Sequence, residues 1–300
     1  MRPTTRPTTR QIWVLLLLTL VWGLNWPVLK LGVSGMPAQP ETYPPLTFRA
    51  LCMLLSLPVL GGALVWLKVP LKVPRDQWPE LLRLTVPNML VWHVIIIIAV
   101  QSLSSGRAAI LGYTTPIFSA LLGVAIFGER LSLRQTLGVM AAAIGVGLLL
   151  THEFSNLKGA PWAATAVLFA ACLWAYGTHR LRNSKTTVPV LAIVFWMTTL
   201  TACALTLLAL TFERSQWRVP PPHVWGSILY NAIGVFGFAH AAWFYLARTM
   251  PPVASTISVM LIPVLGAFSG AWFLGEALHW QDFAAMGLMV LAIGLVLFKR

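Results

Sequence analysis

The sequence predicts an all-α integral membrane protein of ten transmembrane helices, arranged as two five-helix repeats of inverted topology. Three observations carry that prediction: the composition, the length of the apolar blocks, and an internal match at a fixed offset.

Of the 300 residues, 58% are hydrophobic and only 10% are charged, against about 25% charged in an ordinary soluble domain. Too few ionic side chains remain to coat a water-facing surface. A helix needs about 20 mostly apolar residues to cross the hydrocarbon core. Blocks of that size fall at 12–31, 44–67, 81–102, 106–127, 133–151, 160–179, 188–212, 223–246, 252–274 and 280–298. They lack the period-2 alternation of barrel strands, so lipid leaves helices as the way to satisfy the backbone. The links between them are short, which leaves no room for a soluble domain.

The net charge of +13 describes orientation rather than a nucleic-acid partner. With the amino terminus inside, fifteen Lys and Arg fall in inner segments. Only five, Lys30, Arg107, Lys158, Arg214 and Arg218, fall in outer ones. This positive-inside bias puts both termini in the cytoplasm. The first block has full spanning length and no A-x-A-like cleavage site, so it reads as a helix of the mature chain. Cys52, Cys172 and Cys203 all lie inside spans and read as packing residues, not as disulfide or metal ligands.

Shifting the chain by 147 residues lays 93–150 on 240–297 without a gap. His93 meets His240, Pro116 meets Pro263, Gly123 meets Gly270, and Gly128-Glu129 meets Gly275-Glu276. The halves, 1–152 and 153–300, each hold five spans. Five is odd, so the second half enters the membrane from the opposite face. Many secondary transporters build a midplane site between two such halves.

The run Ser105-Gly106-Arg107-Ala108-Ala109-Ile110-Leu111, Pro116, Gly128-Glu129-Arg130-Leu131 and Gln135-Thr136-Leu137-Gly138 resembles the helix 4–5 signature of the EamA-type drug/metabolite transporter superfamily. The second half repeats it as Pro263, Gly275-Glu276-Ala277-Leu278 and Gly287. Trp22-Gly23-Leu24-Asn25-Trp26 resembles that family's first helix, and Arg49 the arginine of its second. Within the superfamily the chain is most similar to bacterial exporters of aromatic amino acids (the YddG type). The resemblance implies an inner-membrane exporter of aromatic and large apolar amino acids, working by alternating access around a central cavity. No cofactor is expected, and the expected partners are an amino-acid substrate and the lipid bilayer, with no nucleic acid.

Buried polar groups in a membrane are costly and are functional candidates by default. All eight acids sit in loops or at span ends, so a mid-membrane carboxylate relay has no member. His93 and His240 are the mid-membrane titratable candidates; each reads equally as a substrate contact or as an interhelical hydrogen bond. Trp22, Trp92, Trp174 and Trp243, together with Tyr113 and Thr115, are candidates to wall the cavity, and Trp196 is placed at similar depth. Core packing is the competing reading for any one of these tryptophans.

Asn25 is a candidate for a substrate's amino or carboxylate group, or for a bridge between helices. Arg49 lies a few residues inside its span and is expected to snorkel to the interface, with a substrate carboxylate as the second reading. Pro116 and Pro263 are candidate hinges that free backbone carbonyls toward the cavity. Ser119/Gly123 and Gly266/Gly270 read as scaffold, and Glu129 and Glu276 as solvated helix ends.

Trp13, Trp66, Trp78, Trp162, Trp217, Trp225, Trp272 and Trp280 are expected to form interfacial belts. An enzyme is disfavoured, because His152-Glu153 lacks the second histidine of a zinc motif. A channel is disfavoured by the lack of a charged ring. Other amino acids, a nucleotide sugar or a drug remain alternative cargoes.

Overall fold

The computed structural model describes residues 8–35, 42–126, 128, 131–155, 160–249 and 261–297. Among them the chain forms helical rods and no strand: α1 Thr9–Ser34, α2 Pro45–Trp66, α3 Arg75–Ser102, α4 Ser105–Ala125, α5 Leu133–Ser155, α6 Pro161–Asn183, α7 Val190–Phe212, α8 Pro222–Thr249, α9 Leu261–Leu274 and α10 Trp280–Leu297. Each falls on one of the ten apolar blocks. The first part of the ninth block, 252–260, lies outside the described residues, as do Glu129 and Arg130. Six rods (α1 to α4, α7 and α8) are long and apolar enough to cross a membrane by length and composition, and α5 and α9 carry the shorter apolar stretches Thr136–Leu148 and Ile262–Leu274.

The surface is that of a protein solvated by lipid. Leu16, Leu17 and Leu20 on α1, Leu207 and Leu210 on α7, and Phe283, Val290 and Leu291 on α10 are all exposed, far more apolar surface than a water-soluble monomer presents. Trp13, Trp66, Trp162, Trp217, Trp225, Trp272 and Trp280 are exposed at or just beyond rod ends, where an interfacial belt belongs. Trp78 instead packs edge-on against Trp196, with ring centroids 5.1 Å apart. Trp196 Nε1 donates to the Leu71 carbonyl at 2.9 Å. Its expected depth is therefore corrected: Trp196 closes the α2–α3 link and does not reach the centre.

Within the bundle α5 packs on α10, α2 on α7 and α8, α1 on α8 and α9, and α4 on α6 and α9. The α4–α9 crossing is made close by small residues. A Cβ on Gly266 would stand 2.8 Å from the Ala109 Cβ, and one on Gly106 would stand 3.0 Å from the Ala267 backbone.

Three rods depart from regular α geometry. Residues Val86–Leu90 of α3 and Tyr230–Ala239 of α8 are π-helical. In α4 the helix breaks at Tyr113 and Thr114 and resumes at Thr115. Pro116 lacks the N–H that would bond the Gly112 carbonyl. Thr115 Oγ1 donates to that carbonyl at 2.9 Å, and Thr114 Oγ1 to Leu111 O at 2.7 Å. The carbonyl expected to face the cavity is thus satisfied locally. Pro263 stands in the first described turn of α9.

Helix ends that face lipid need partners for their free N–H groups. Helix α2 opens on Pro44-Pro45 with no cap of its own. Glu213, from the α7–α8 link, supplies it by accepting from Leu46 N at 2.9 Å, Thr47 N at 2.7 Å and Thr47 Oγ1 at 2.7 Å. Glu213 is buried, so its charge is held by these donors. Replacing Glu213 by Gln weakens three charge-assisted bonds, worth about 1.5–3 kcal/mol in all. Thermal unfolding in detergent should show the variant melting below wild type, with Arg214→Gln on the exposed neighbouring turn unchanged.

Candidate functional site

Helices α1, α3, α4, α6 and α8, with Arg49 of α2, surround a cavity of about 280 Å³. Its wall contains Trp22, Asn25, Trp26, Trp92, His93, Tyr113, Thr115, Pro116, Trp174, His240 and Trp243. All nine residues expected to contact substrate therefore face one space, together with one of the two prolines; Pro263 is not in the wall. The cavity extends past Ser119, His179 and Arg182 to the exposed Asn183 and to Leu131, at the end of the bundle where α1 begins and α6 ends.

The wall is built from edge-on and tilted aromatic contacts, with one face of Trp174 stacked on Phe244 behind it. The Trp22 ring lies 6.4 Å from Trp174, 5.8 Å from Trp243 and 5.5 Å from His240, and Trp92 lies 5.0 Å from Trp174. Trp26 meets Tyr113 at 6.3 Å. Such tilted and T-shaped pairs leave ring faces available to a further ring.

His93 and His240 meet through their Nε2 atoms at 3.2 Å. The remaining contacts fix the tautomers. His240 Nδ1 lies 2.9 Å from the Val235 carbonyl, which can only accept, so His240 Nδ1 carries the proton and its Nε2 accepts. His93 Nε2 then donates, and His93 Nδ1 is a bare acceptor. That atom is buried with no partner, as are Asn25 Oδ1, Trp243 Nε1 and Arg49 Nε. These four atoms, two acceptors and two donors, belong to residues of the cavity wall.

Arg49 overturns its expected role. It is 1% exposed, so it does not snorkel. Nη1 donates to Asn231 Oδ1 at 3.2 Å, and the guanidinium carbon lies 5.5 Å from the centre of the Phe236 ring. The first turn of α2 is covered by Glu213 and by Trp217, whose Nε1 donates to Thr47 Oγ1, and this cover turns Arg49 inward. Ser119, expected as scaffold, is also in the wall, where its hydroxyl lies 2.8 Å from His179 Nε2. The signal for the missed residues was helical spacing: Trp26 follows Trp22 by one turn, and Thr178 and Arg182 follow Trp174 by one and two.

The far end of the cavity is shut. Glu276, expected to be solvated, accepts from Ser105 N at 2.9 Å and from Ser105 Oγ at 3.0 Å, capping α4. Lys30 Nζ donates to the carbonyls of Val100, Gln101 and Leu103 at the end of α3, at 2.8–3.0 Å. Arg107 Nε lies 3.5 Å from Asp282.

The histidine pair generates a direct test. His240→Leu strands the His93 donor, a loss of about 1–3 kcal/mol. Removing both partners as His93→Leu/His240→Leu should recover much of that loss in thermal unfolding, giving a clear coupling energy in the cycle. Additive losses would show that the contact carries no energy of its own.

Comparisons with known proteins agree with this architecture. The EamA-like transporter family matches twice, over residues 9–151 and 157–298. The chain is 27% identical to the "Uncharacterized inner membrane transporter YedA" of Escherichia coli K12, covering 93% of this chain and 88% of that one. It is 23% identical to the "Uncharacterized transporter YoaV" of Bacillus subtilis, over 84% of each. It is 25% identical to a "Probable amino-acid metabolite efflux pump" of E. coli K12, over 93% and 91%. A protein of known crystal structure shares the fold, with a TM-score of 0.70 at 22% identity over 94% of this chain and 95% of that one. The helical membrane-spanning fold and the double match over nearly the whole length lead to one conclusion: the chain is a multi-pass membrane protein of the EamA-like transporter family.

Proposed function

We propose that the protein exports aromatic and large apolar amino acids across the bacterial inner membrane, by alternating access of the central cavity. The observation that carries the reading is the wall of Trp22, Trp92, Trp174 and Trp243 around unpaired polar atoms of Asn25, His93 and Arg49. Aromatic faces suit a flat apolar side chain, and the polar atoms suit a zwitterion. The efflux pump and inner-membrane transporter among its relatives support the direction and the compartment.

The mechanism calls for an inverted repeat, and three correspondences support one. His93 and His240 are equivalent at the 147-residue offset, and equivalent residues that touch lie on the axis relating the halves. The π-helical segment Val86–Leu90 falls by the same offset inside Tyr230–Ala239. Gly128 and Gly275 share left-handed φ values of 68° and 65°. In such a repeat the second half repeats the first upside down, so the closed end and the open end can exchange. On this reading, with both termini cytoplasmic, the cavity opens inward and Glu276, Lys30 and Arg107 close its outer end.

Counterflow in proteoliposomes tests the reading. Vesicles preloaded with unlabelled tryptophan should accumulate labelled tryptophan, blocked by phenylalanine and not by arginine. Trp22→Ala or Trp174→Ala removes a large buried face, about 1.5–3 kcal/mol, and should weaken apparent affinity by about tenfold or more. No accumulation above empty liposomes, with folded protein, would sink the aromatic assignment.

A second test addresses alternating access. A Cβ on Gly270 would stand 3.0 Å from the Ser105 Cβ and 2.5 Å from the Glu276 carboxylate, so a disulfide here is within reach once the Glu276 side chain gives way. In a background with Cys52, Cys172 and Cys203 replaced by alanine, Ser105→Cys/Gly270→Cys should stop counterflow when oxidised and regain it on reduction. Unimpaired counterflow in the cross-linked protein would mean that the outer end need not open.

A further inference from the structure

The Arg49 guanidinium has an unusual set of partners. It is 1% exposed in the interior of a membrane bundle and lines the cavity. Its partners are one neutral amide oxygen, from Asn231, and the face of Phe236. Nε has no partner, and no ion pair to Arg49 occurs among the described residues. The lining includes Arg49, Arg182, His93, His179 and His240, and neither Asp nor Glu. A buried cation without a counter-charge is expensive in a low-dielectric interior. A fixed carboxylate beside Arg49 would make it a structural ion pair; instead its field is left for whatever enters the cavity.

The charge sum decides what that is. A carboxylate neutralises Arg49 through charge-assisted bonds. An ammonium finds no carboxylate in the lining, only neutral groups: unpaired acceptors on Asn25 and His93, hydroxyls, and tryptophan faces whose cation–π attraction is weaker than a charge pair. A substrate with both charges leaves the occupied site at its original net charge. A monoanion brings it one unit lower, and an amine without a carboxylate adds a further cation to a lining that already holds Arg49 and Arg182, where repulsion is weakly screened.

We propose that Arg49 anchors the substrate's carboxylate, and that the site accepts aromatic carboxylates with or without an α-amino group while refusing aromatic amines. This rests on the aromatic reading of the cavity given above and specifies the charge that the ring must carry.

The test uses the wild-type protein and the tryptophan counterflow assay at neutral pH, with indole-3-propionate and tryptamine as competitors. Each shares the indole ring and lacks one of the two charged groups. Indole-3-propionate should compete within about threefold of tryptophan, and tryptamine about tenfold more weakly or worse. Tryptamine competing as well as tryptophan would overturn the proposal and leave the aromatic cavity standing. Failure of indole-3-propionate would also overturn it, by making the ammonium a required contact. Loss of tryptophan counterflow itself would instead strike the reading beneath. A second arm compares Arg49→Gln, checked for folding by monodispersity and melting. It should lose at least about tenfold in apparent affinity for tryptophan and no longer discriminate against tryptamine. Wild-type affinity in that variant would overturn the proposal. If the variant does not fold, the ligand series on wild-type protein decides alone.

Discussion

Lipid offers no hydrogen bonds, and this constraint sorts the polar side chains of the molecule. One group satisfies helix ends and breaks: Glu213 caps α2, Glu276 caps α4, Lys30 gathers the last carbonyls of α3, and Thr114 and Thr115 take up the carbonyls freed before Pro116. A second group ties helix to helix in the interior, as His93 does with His240 and Ser119 with His179. A third group includes Asn25 Oδ1, Trp243 Nε1, His93 Nδ1 and Arg49 Nε, buried atoms without a partner on residues of one wall. Elsewhere in the bundle such atoms would be a defect of several kcal/mol. Asn88 Oδ1 and the Thr198 and Thr201 hydroxyls are also buried without a partner, away from this wall; the four on the wall differ in standing where the proposed ligand would pair them.

Much of this was legible in the chain, for reasons that are physical. Spanning length is fixed by bilayer thickness, so ten apolar blocks located ten helices. The 147-residue match located the histidines because a mid-membrane His is costly and its recurrence in register is not chance. Trp22, Trp92, Trp174 and Trp243 were singled out by depth, since an interfacial tryptophan and a central one differ in distance from a span end, and the family resemblance favoured Trp22, Trp92 and Trp174 further. Depth failed for Trp196, because the α2–α3 link folds back under it and gives its ring nitrogen a carbonyl.

Arg49 shows where one-dimensional reading stops. Distance from a span end predicts snorkelling, but snorkelling also requires that the helix face lipid at that point. Whether it does depends on the α7–α8 link, more than 160 residues away, which seals the start of α2 through Glu213 and Trp217. Glu276 fails the same way: a carboxylate at a helix end looks solvated until a neighbouring helix start, Ser105, is brought against it. Both errors are of tertiary origin, and both concern a charge whose partner comes from a distant part of the chain.

The two halves are alike in scaffold and unlike in charge, and the difference bears on mechanism. Residues that the offset pairs, such as the histidines, serve both halves equally and hold the crossing of α3 and α8. Arg49 has no echo: the equivalent position holds Trp196, which is occupied at the bundle's other end. A cation on the axis would attract a ligand equally in both conformations of a symmetric exchange. A cation contributed by α2 alone sits to one side of that axis, so on the proposed mechanism a bound carboxylate would keep company with the first half while the second moves past it. On the proposed alternating access, a near-symmetric scaffold would supply two states of similar energy, and Arg49, which has no carboxylate partner among the described residues, would supply a fixed point from which the substrate meets each of them.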